Sequence, residues 1–175
     1  PWYAFGSVWS ASVPAPLAEV AANAERLASA PIVTVNLWLD GPVMPVLDVQ
    51  FVGFVDAPVH WVFDKARIGQ PAGRHLALVT SGAEALVTMA HDEAVRTAFD
   101  CLRTMLPEAR HRSVRHAVVV RERRATFSLA PCGPPRPTAE TPIRGLYLAG
   151  DHTQQPSAHG ALRSGRAAAE AVLAA

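Results

Sequence analysis

The chain has 175 residues, 50% of them apolar and 18% charged, with a net charge of +1. That length supplies one domain, or one and a half small ones, with apolar surface for a core; the low net charge and high apolar content exclude a disordered chain. The same balance argues against a strongly basic nucleic-acid binder, and no run approaches the ~18 apolar residues of a membrane-spanning helix.

The chain opens Pro1-Trp2-Tyr3, with no initiator Met and no signal-peptide zones, which leads us to expect part of a longer protein. Lys65 is the only lysine; arginine supplies the rest of the basic charge, a coding bias of GC-rich bacterial genomes. Cys101 and Cys132 are too far apart for a CxxC motif, so Cys101 reads as a small buried hydrophobe in a reduced, cytoplasmic protein.

Residues 1–14 show no period. Leu17, Val20, Ala21, Ala24 and Leu27 recur at helical spacing, and Pro31 ends that segment. From Ile32 to Leu39 the period becomes two, with Val33, Val35, Leu37 and Leu39 on one face and Ile32, Thr34, Asn36 and Trp38 on the other. Asp40-Gly41-Pro42 closes that strand. Phe51–Val55, Val59–Phe63 and His75–Thr80 are further strands, with Val59, Trp61 and Phe63 sharing a face; the short turns between them imply an antiparallel sheet.

A helical stretch broken near Ala90-His91 follows, and its second part places Val95, Phe99, Leu102 and Leu106 on one stripe. Val114–Glu122 is another strand, and residues 129–142 form a Pro-rich connection. We therefore place a boundary there, which divides the chain into segments 1–128 and 129–175. In the latter, Gly145–Ala149 reads as a strand covered on both faces. A polar loop leads to a helix from about Ala158 to Ala174, with Ala161, Gly165, Ala168 and Ala169 inward and Arg163, Arg166 and Glu170 outward. The fold class is α+β.

The strongest chemical feature runs from Leu146 to Arg166. A strand ending in Gly150-Asp151 presents bare backbone and a carboxylate at its carboxyl end, where open α/β sheets bind ligands. The free amides and positive dipole end of the next helix face the same region, near Ser157 to Ala161. A ribityl chain and a flavin ring would use all of these parts. Gly-Asp after a strand is also, on its own, an ordinary turn with a capping Asp.

Gly145-Leu-Tyr-Leu-Ala-Gly-Asp151, followed by His159-Gly160-Ala161-Leu-Arg-Ser-Gly-Arg-Ala-Ala168, resembles the C-terminal FAD segment of the flavin amine oxidase and phytoene desaturase superfamily. Pro31–Asp40, Val59–Lys65 and Arg123–Phe127 make the chain most similar to its squalene-associated FAD-dependent desaturases, the bacterial hydroxysqualene dehydroxylases. The resemblance covers nearly the whole chain. It implies a substrate domain followed by the C-terminal strand and helix of an incomplete, Rossmann-like FAD domain. It also implies a FAD-dependent oxidoreductase that reduces hydroxysqualene to squalene in hopanoid biosynthesis. Gly150 and Asp151 would contact the ribityl or pyrophosphate part of FAD, and Ala158, His159, Gly160 and Ala161 would lie near its ring. The triterpene substrate implies an apolar sheet face, with Trp38, Trp61 and Phe63 near it, and peripheral contact with a membrane surface.

This chain departs from those relatives at His159, where they carry an acidic residue, and at His152, where they commonly have Trp. It contains no G-x-G turn to hold a pyrophosphate. The dinucleotide-binding half is therefore expected upstream in the same protein, and this chain alone would bind FAD weakly or not at all. The alternatives are a carotenoid or phytoene desaturase, an amine oxidase, and, outside enzymes, an isolated lipid-binding or interaction module. Asp64-Lys65 reads as a surface ion pair, Arg121–Arg124 as a solvated strand edge, and the spacing of the histidines indicates no metal. No residue is assigned as catalytic.

Overall fold

The computed structural model describes residues 1–44, 48–69 and 74–175. By packing, the chain falls into two compact units, Ala30–Ala125 and a second composed of Pro1–Ser29 with Thr126–Ala175. Their bounds differ from those of the segments expected from sequence, 1–128 and 129–175.

In the Ala30–Ala125 unit, the described residues build a five-stranded sheet from β1 (Ser29–Leu39), β2 (Phe51–Gly53), β3 (Trp61–Asp64), β4 (His75–Ser81) and β5 (Val114–Phe127), in the order β2-β3-β4-β1-β5. β2, β3, β4 and β1 pair antiparallel, with Trp38 opposite His75 and Phe63 opposite Ala77. β1 and β5 are antiparallel too: Asp40 N–H donates to the Ser113 carbonyl at one end and Ser128 N–H to the Ala28 carbonyl at the other. The period-two pattern of β1 decides the burial, since Val33, Val35, Leu37 and Leu39 are all buried while the residues between them are half-exposed.

The buried face carries Val62, Leu76 and Leu78 beside those β1 residues and is covered by α2 (Glu84–Thr88) and α3 (His91–Met105). The break between these helices falls where the sequence indicates it. The buried line of α3 differs from the expected stripe: Ala94, Ala98, Cys101 and Leu102 are buried, with Val95 and Phe99 on the flanks. Alanines bring a helix closer to its neighbour than large side chains do, so the line of contact runs along them. Val59 also corrects the expectation. It precedes β3 and lies in the core with Val62, whereas Trp61 and Phe63 point to the opposite face.

The other unit contains α1 (Ala18–Arg26), whose Ala21 and Ala24 pack with Phe5 and Leu17, and α4 (Ala158–Leu173). Trp2, Leu27 and Phe127 form a separate small core. The strand expected at Gly145–Ala149 is not formed; Tyr147 makes one isolated antiparallel bridge with Glu140. Leu146 N–H instead bonds to the Ile143 carbonyl and Leu148 N–H to Ala139, because the described residues offer this segment no ladder to join. On α4, Arg163, Arg166 and Glu170 face solvent as expected, but the buried positions are Gly160 and Ser164, and Gly165 and Ala169 are exposed. Among the described residues, no helix is long and apolar enough to cross a membrane.

Candidate functional site

The sheet face away from α2 and α3 is built by cross-strand pairing. Opposed residues of an antiparallel pair share a face, so β2 contributes Phe51, β3 Trp61 and Phe63, β4 His75, Ala77 and Val79, and β1 Asn36 and Trp38. Phe51 lies 5.8 Å from Trp61 and 5.6 Å from Phe63, ring centre to ring centre, which makes a three-ring cluster at one edge. Trp38 stacks on His75 at 4.1 Å and 12° and meets His116 of β5 at 5.0 Å. Two of the residues proposed from sequence, Trp61 and Phe63, are therefore brought together, and Trp38 stands apart from them with its two histidines.

This face is open and carries exposed apolar side chains beside Asn36, His75 and His116. Phe51 is 50% exposed, Trp61 43% and Val120 52%, and Val118 is exposed as well. Asn36, Trp38 and His75 lie between these edges, so the exposed apolar side chains form an aromatic group on β2 and β3 and a pair of valines on β5. Sequence reasoning missed Phe51, Val118 and Val120. The period-two pattern of β5 could have supplied the valines, but their face becomes clear only once β5 lies beside β1. His75 adds a polar point: its Nε2 lies 2.9 Å from Asn36 Oδ1, and burial, with a smaller effect from Lys65, pushes its pKa below that of a free histidine. The Asp64-Lys65 expectation needs correction, since Asp64 pairs with Arg67 at 3.6 Å and accepts the Ala66 amide. β5 is the edge strand expected for Arg121–Arg124, and Arg121 donates to the Met89 carbonyl.

In the second unit, the loop from Gly150 and the start of α4 form one hydrogen-bonded construction. Gly150 adopts φ +152°, a conformation essentially restricted to glycine, and a Cβ there would stand 2.7 Å from the His152 ring. Its N–H donates to the buried Ser164 Oγ at 2.7 Å, and the Thr153 hydroxyl donates to the same oxygen at 2.8 Å. Ser164 thus ties the loop to the helix, a role that its sequence neighbourhood does not announce. Asp151 is half-buried, and its Oδ1 accepts the His152 N–H.

Ser157 caps α4 by accepting from Gly160 N–H at 2.9 Å, and Gly160 is buried so tightly that a Cβ would collide with the Gln155 carbonyl. Ala158 and His159 sit exposed in the first turn, and Ala161 is half-buried behind them. The structure therefore gathers Gly150, Asp151, Ala158, His159, Gly160 and Ala161 into one short stretch of loop and helix start. A bare backbone, a carboxylate acceptor and a positive helix end suit a ligand that combines hydroxyls with negative charge, as the ribityl and ring portions of a flavin do.

A family model described as flavin-containing amine oxidoreductase matches residues 7–173. Curated relatives include the 15-cis-phytoene desaturase (chloroplastic/chromoplastic) of Glycine max, 26% identical over 163 residues, and that of an Oncidium hybrid cultivar, 27% over 162. Each alignment covers 85% of this chain and 28% of the relative, so the chain spans about a quarter of the length of these proteins. Among solved structures, reduced UDP-galactopyranose mutase aligns at a TM-score of 0.48 and 16% identity, over 61% of this chain and 24% of that one.

Proposed function

The chain belongs to the flavin-containing amine oxidoreductase family, whose cofactor is FAD, and on that premise we propose that it is the substrate-binding and FAD-completing part of an oxidoreductase acting on a long isoprenoid hydrocarbon. The observation that carries this reading is the open sheet face, with Phe51, Trp61 and Phe63 clustered at one edge and Trp38, Val118 and Val120 further along. A linear isoprenoid offers almost no hydrogen-bonding groups, so its affinity must come from buried apolar area, and stiff aromatic side chains supply that area with little loss of rotamer freedom.

FAD, when bound, supplies two-electron chemistry. This chain's residues have separate tasks: Asp151 accepts hydrogen bonds from the ribityl hydroxyls, the first turn of α4 stabilises negative charge on the ring, and the aromatic face positions the hydrocarbon and excludes water. The finer reading is reduction of hydroxysqualene. There the carbon–oxygen bond breaks, two electrons and two protons are taken up, and squalene and water leave. Dehydrogenation of phytoene is the second reading, favoured by the phytoene desaturases among the relatives. Anaerobic incubation of the full-length protein, with its FAD reduced, tests the first directly. Squalene formed from hydroxysqualene supports it; phytoene dehydrogenated by the oxidised protein, with no squalene in the first assay, would replace it with the second.

A further inference from the structure

In the unit formed by Pro1–Ser29 and Thr126–Ala175, a cavity of about 370 Å³ opens between the aromatic N-terminal turn and the Leu146–His152 segment, lined among others by Phe5, Val8, Trp9, Leu146, Leu148 and His152. Its size falls within the ~300–1,000 Å³ of small-molecule pockets, and its walls are mostly apolar. Against that apolar lining stand three buried polar atoms without hydrogen-bond partners: Trp9 Nε1 and both ring nitrogens of His152. They are the only such side-chain atoms among the described residues. His152 is 7% exposed, and Asp151 Oδ1 is 4.0 Å from its Nδ1, too far for a hydrogen bond. A buried polar group with no partner is costly, and native chains rarely leave two of them beside one cavity.

We propose that this cavity is a binding site for a short aliphatic alcohol, or for the hydroxyl end of a larger apolar molecule, held by Trp9 Nε1–H and the His152 ring. The choice of ligand follows from the donor inventory. An indole N–H only donates, whereas a neutral imidazole offers one donor and one acceptor. A hydroxyl can accept from Trp9 and can either accept from or donate to His152, so it matches both; an ether matches only the donors, and an alkane matches neither. A carboxylate or phosphate would meet no Lys or Arg side chain in the lining, only the amine of Pro1, and would stand close to the Asp151 carboxylate, 4.0 Å from His152 Nδ1. The apolar walls of Phe5, Val8, Leu146 and Leu148 take the chain. This inference does not depend on the sheet face or on the reaction proposed above.

The test titrates the chain with 1-octanol, octyl methyl ether and octane while following the indole Nε1–H and imidazole resonances by NMR. Octanol should bind saturably, shift the Trp9 indole and His152 signals, and bind more tightly than the ether and octane. Trp9→Phe keeps the aromatic bulk and should weaken octanol binding by roughly three- to tenfold while leaving octane unaffected, the scale of one net hydrogen bond. Equal binding of octanol and octane, octanol signals that spare Trp9 and His152, or no saturable binding by either would overturn the proposal. So would loss of octanol binding to the full-length protein on addition of FAD, which would make the cavity part of the cofactor site. Because the three probes are compared on the unaltered chain, the result stands even if Trp9→Phe fails to fold.

Discussion

Gly150 and Ser164 join the loop to α4 through a 2.7 Å hydrogen bond. At φ +152°, Gly150 tolerates no side chain cheaply, and a Cβ would press on His152. Gly150→Ala should therefore destabilise the chain by about 1–3 kcal/mol, read as a lower midpoint in guanidinium unfolding. Ser164→Ala removes the acceptor of the Gly150 amide and of the Thr153 hydroxyl, leaving a buried N–H unsatisfied at a cost of about 1–3 kcal/mol. An unchanged midpoint for both variants would contradict this account of the loop. The histidines add a pH dependence. Burial pushes both His75 and His152 below the 6.5 of a free histidine, with Asp151 pulling His152 part of the way back. The unfolded chain then binds these protons more readily than the folded one, so their contribution to stability is full above about pH 6.5 and falls as the pH drops below it. NMR titration should place both midpoints below that of a free histidine; a midpoint at or above it would contradict the burial argument.

At the scale of elements, the sheet divides side chains into two functional classes, and the division can be measured. Leu37 is wholly buried beneath the helices, and Leu37→Ala should cost about 2–5 kcal/mol. Trp61 faces outward on the open side, so Trp61→Ala should change stability far less, while raising KM of the full-length protein for its hydrocarbon substrate with little change in kcat. A large loss of stability with KM unchanged would place Trp61 in the core instead. Ser157→Ala removes the cap of α4 and should cost about 0.5–2 kcal/mol. Asp151→Ala should weaken FAD binding by about 10- to 100-fold in the full-length protein, as expected for loss of a charged hydrogen-bond acceptor.

These elements also show how far sequence patterns reach. β1 is legible because its alternation of Val33, Val35, Leu37 and Leu39 has a single geometric solution. The two-helix break at Ala90 and the start of α4 at Ala158 are legible because they depend on neighbouring residues alone. Gly145–Ala149 forms no strand because an apolar run specifies burial, not the presence of a ladder to join. The inward face of α4 departs from its small-residue pattern because its central residue is polar: Ser164 is buried through bonds to Gly150 and Thr153, two residues that only the folded chain brings to it. The same reason hid Phe51 and the β5 valines, whose membership of one face is set by pairing across strands distant in sequence.

For the whole molecule, composition takes on a second meaning. Half the residues are apolar, and part of that apolar content is not buried but displayed, as Phe51, Trp61, Val118 and Val120 along one side of the sheet. In the other unit, the Gly150-Asp151 loop and the start of α4 form a compact set of groups suited to a flavin. The chain matches the flavin-containing amine oxidoreductase family over residues 7–173 and spans about a quarter of the length of the curated desaturases, and its open sheet face is the hydrocarbon-binding surface proposed above. The central claim is that the open sheet face holds the isoprenoid chain. Photolabelling the full-length protein with a long isoprenoid bearing a diazirine, then mapping the labelled peptides by mass spectrometry, tests it most directly. The account predicts saturable labels at Phe51, Trp61, Phe63, Val118 and Val120; labels confined to residues 84–111 on the opposite side of the sheet, or no saturable labelling, would contradict it.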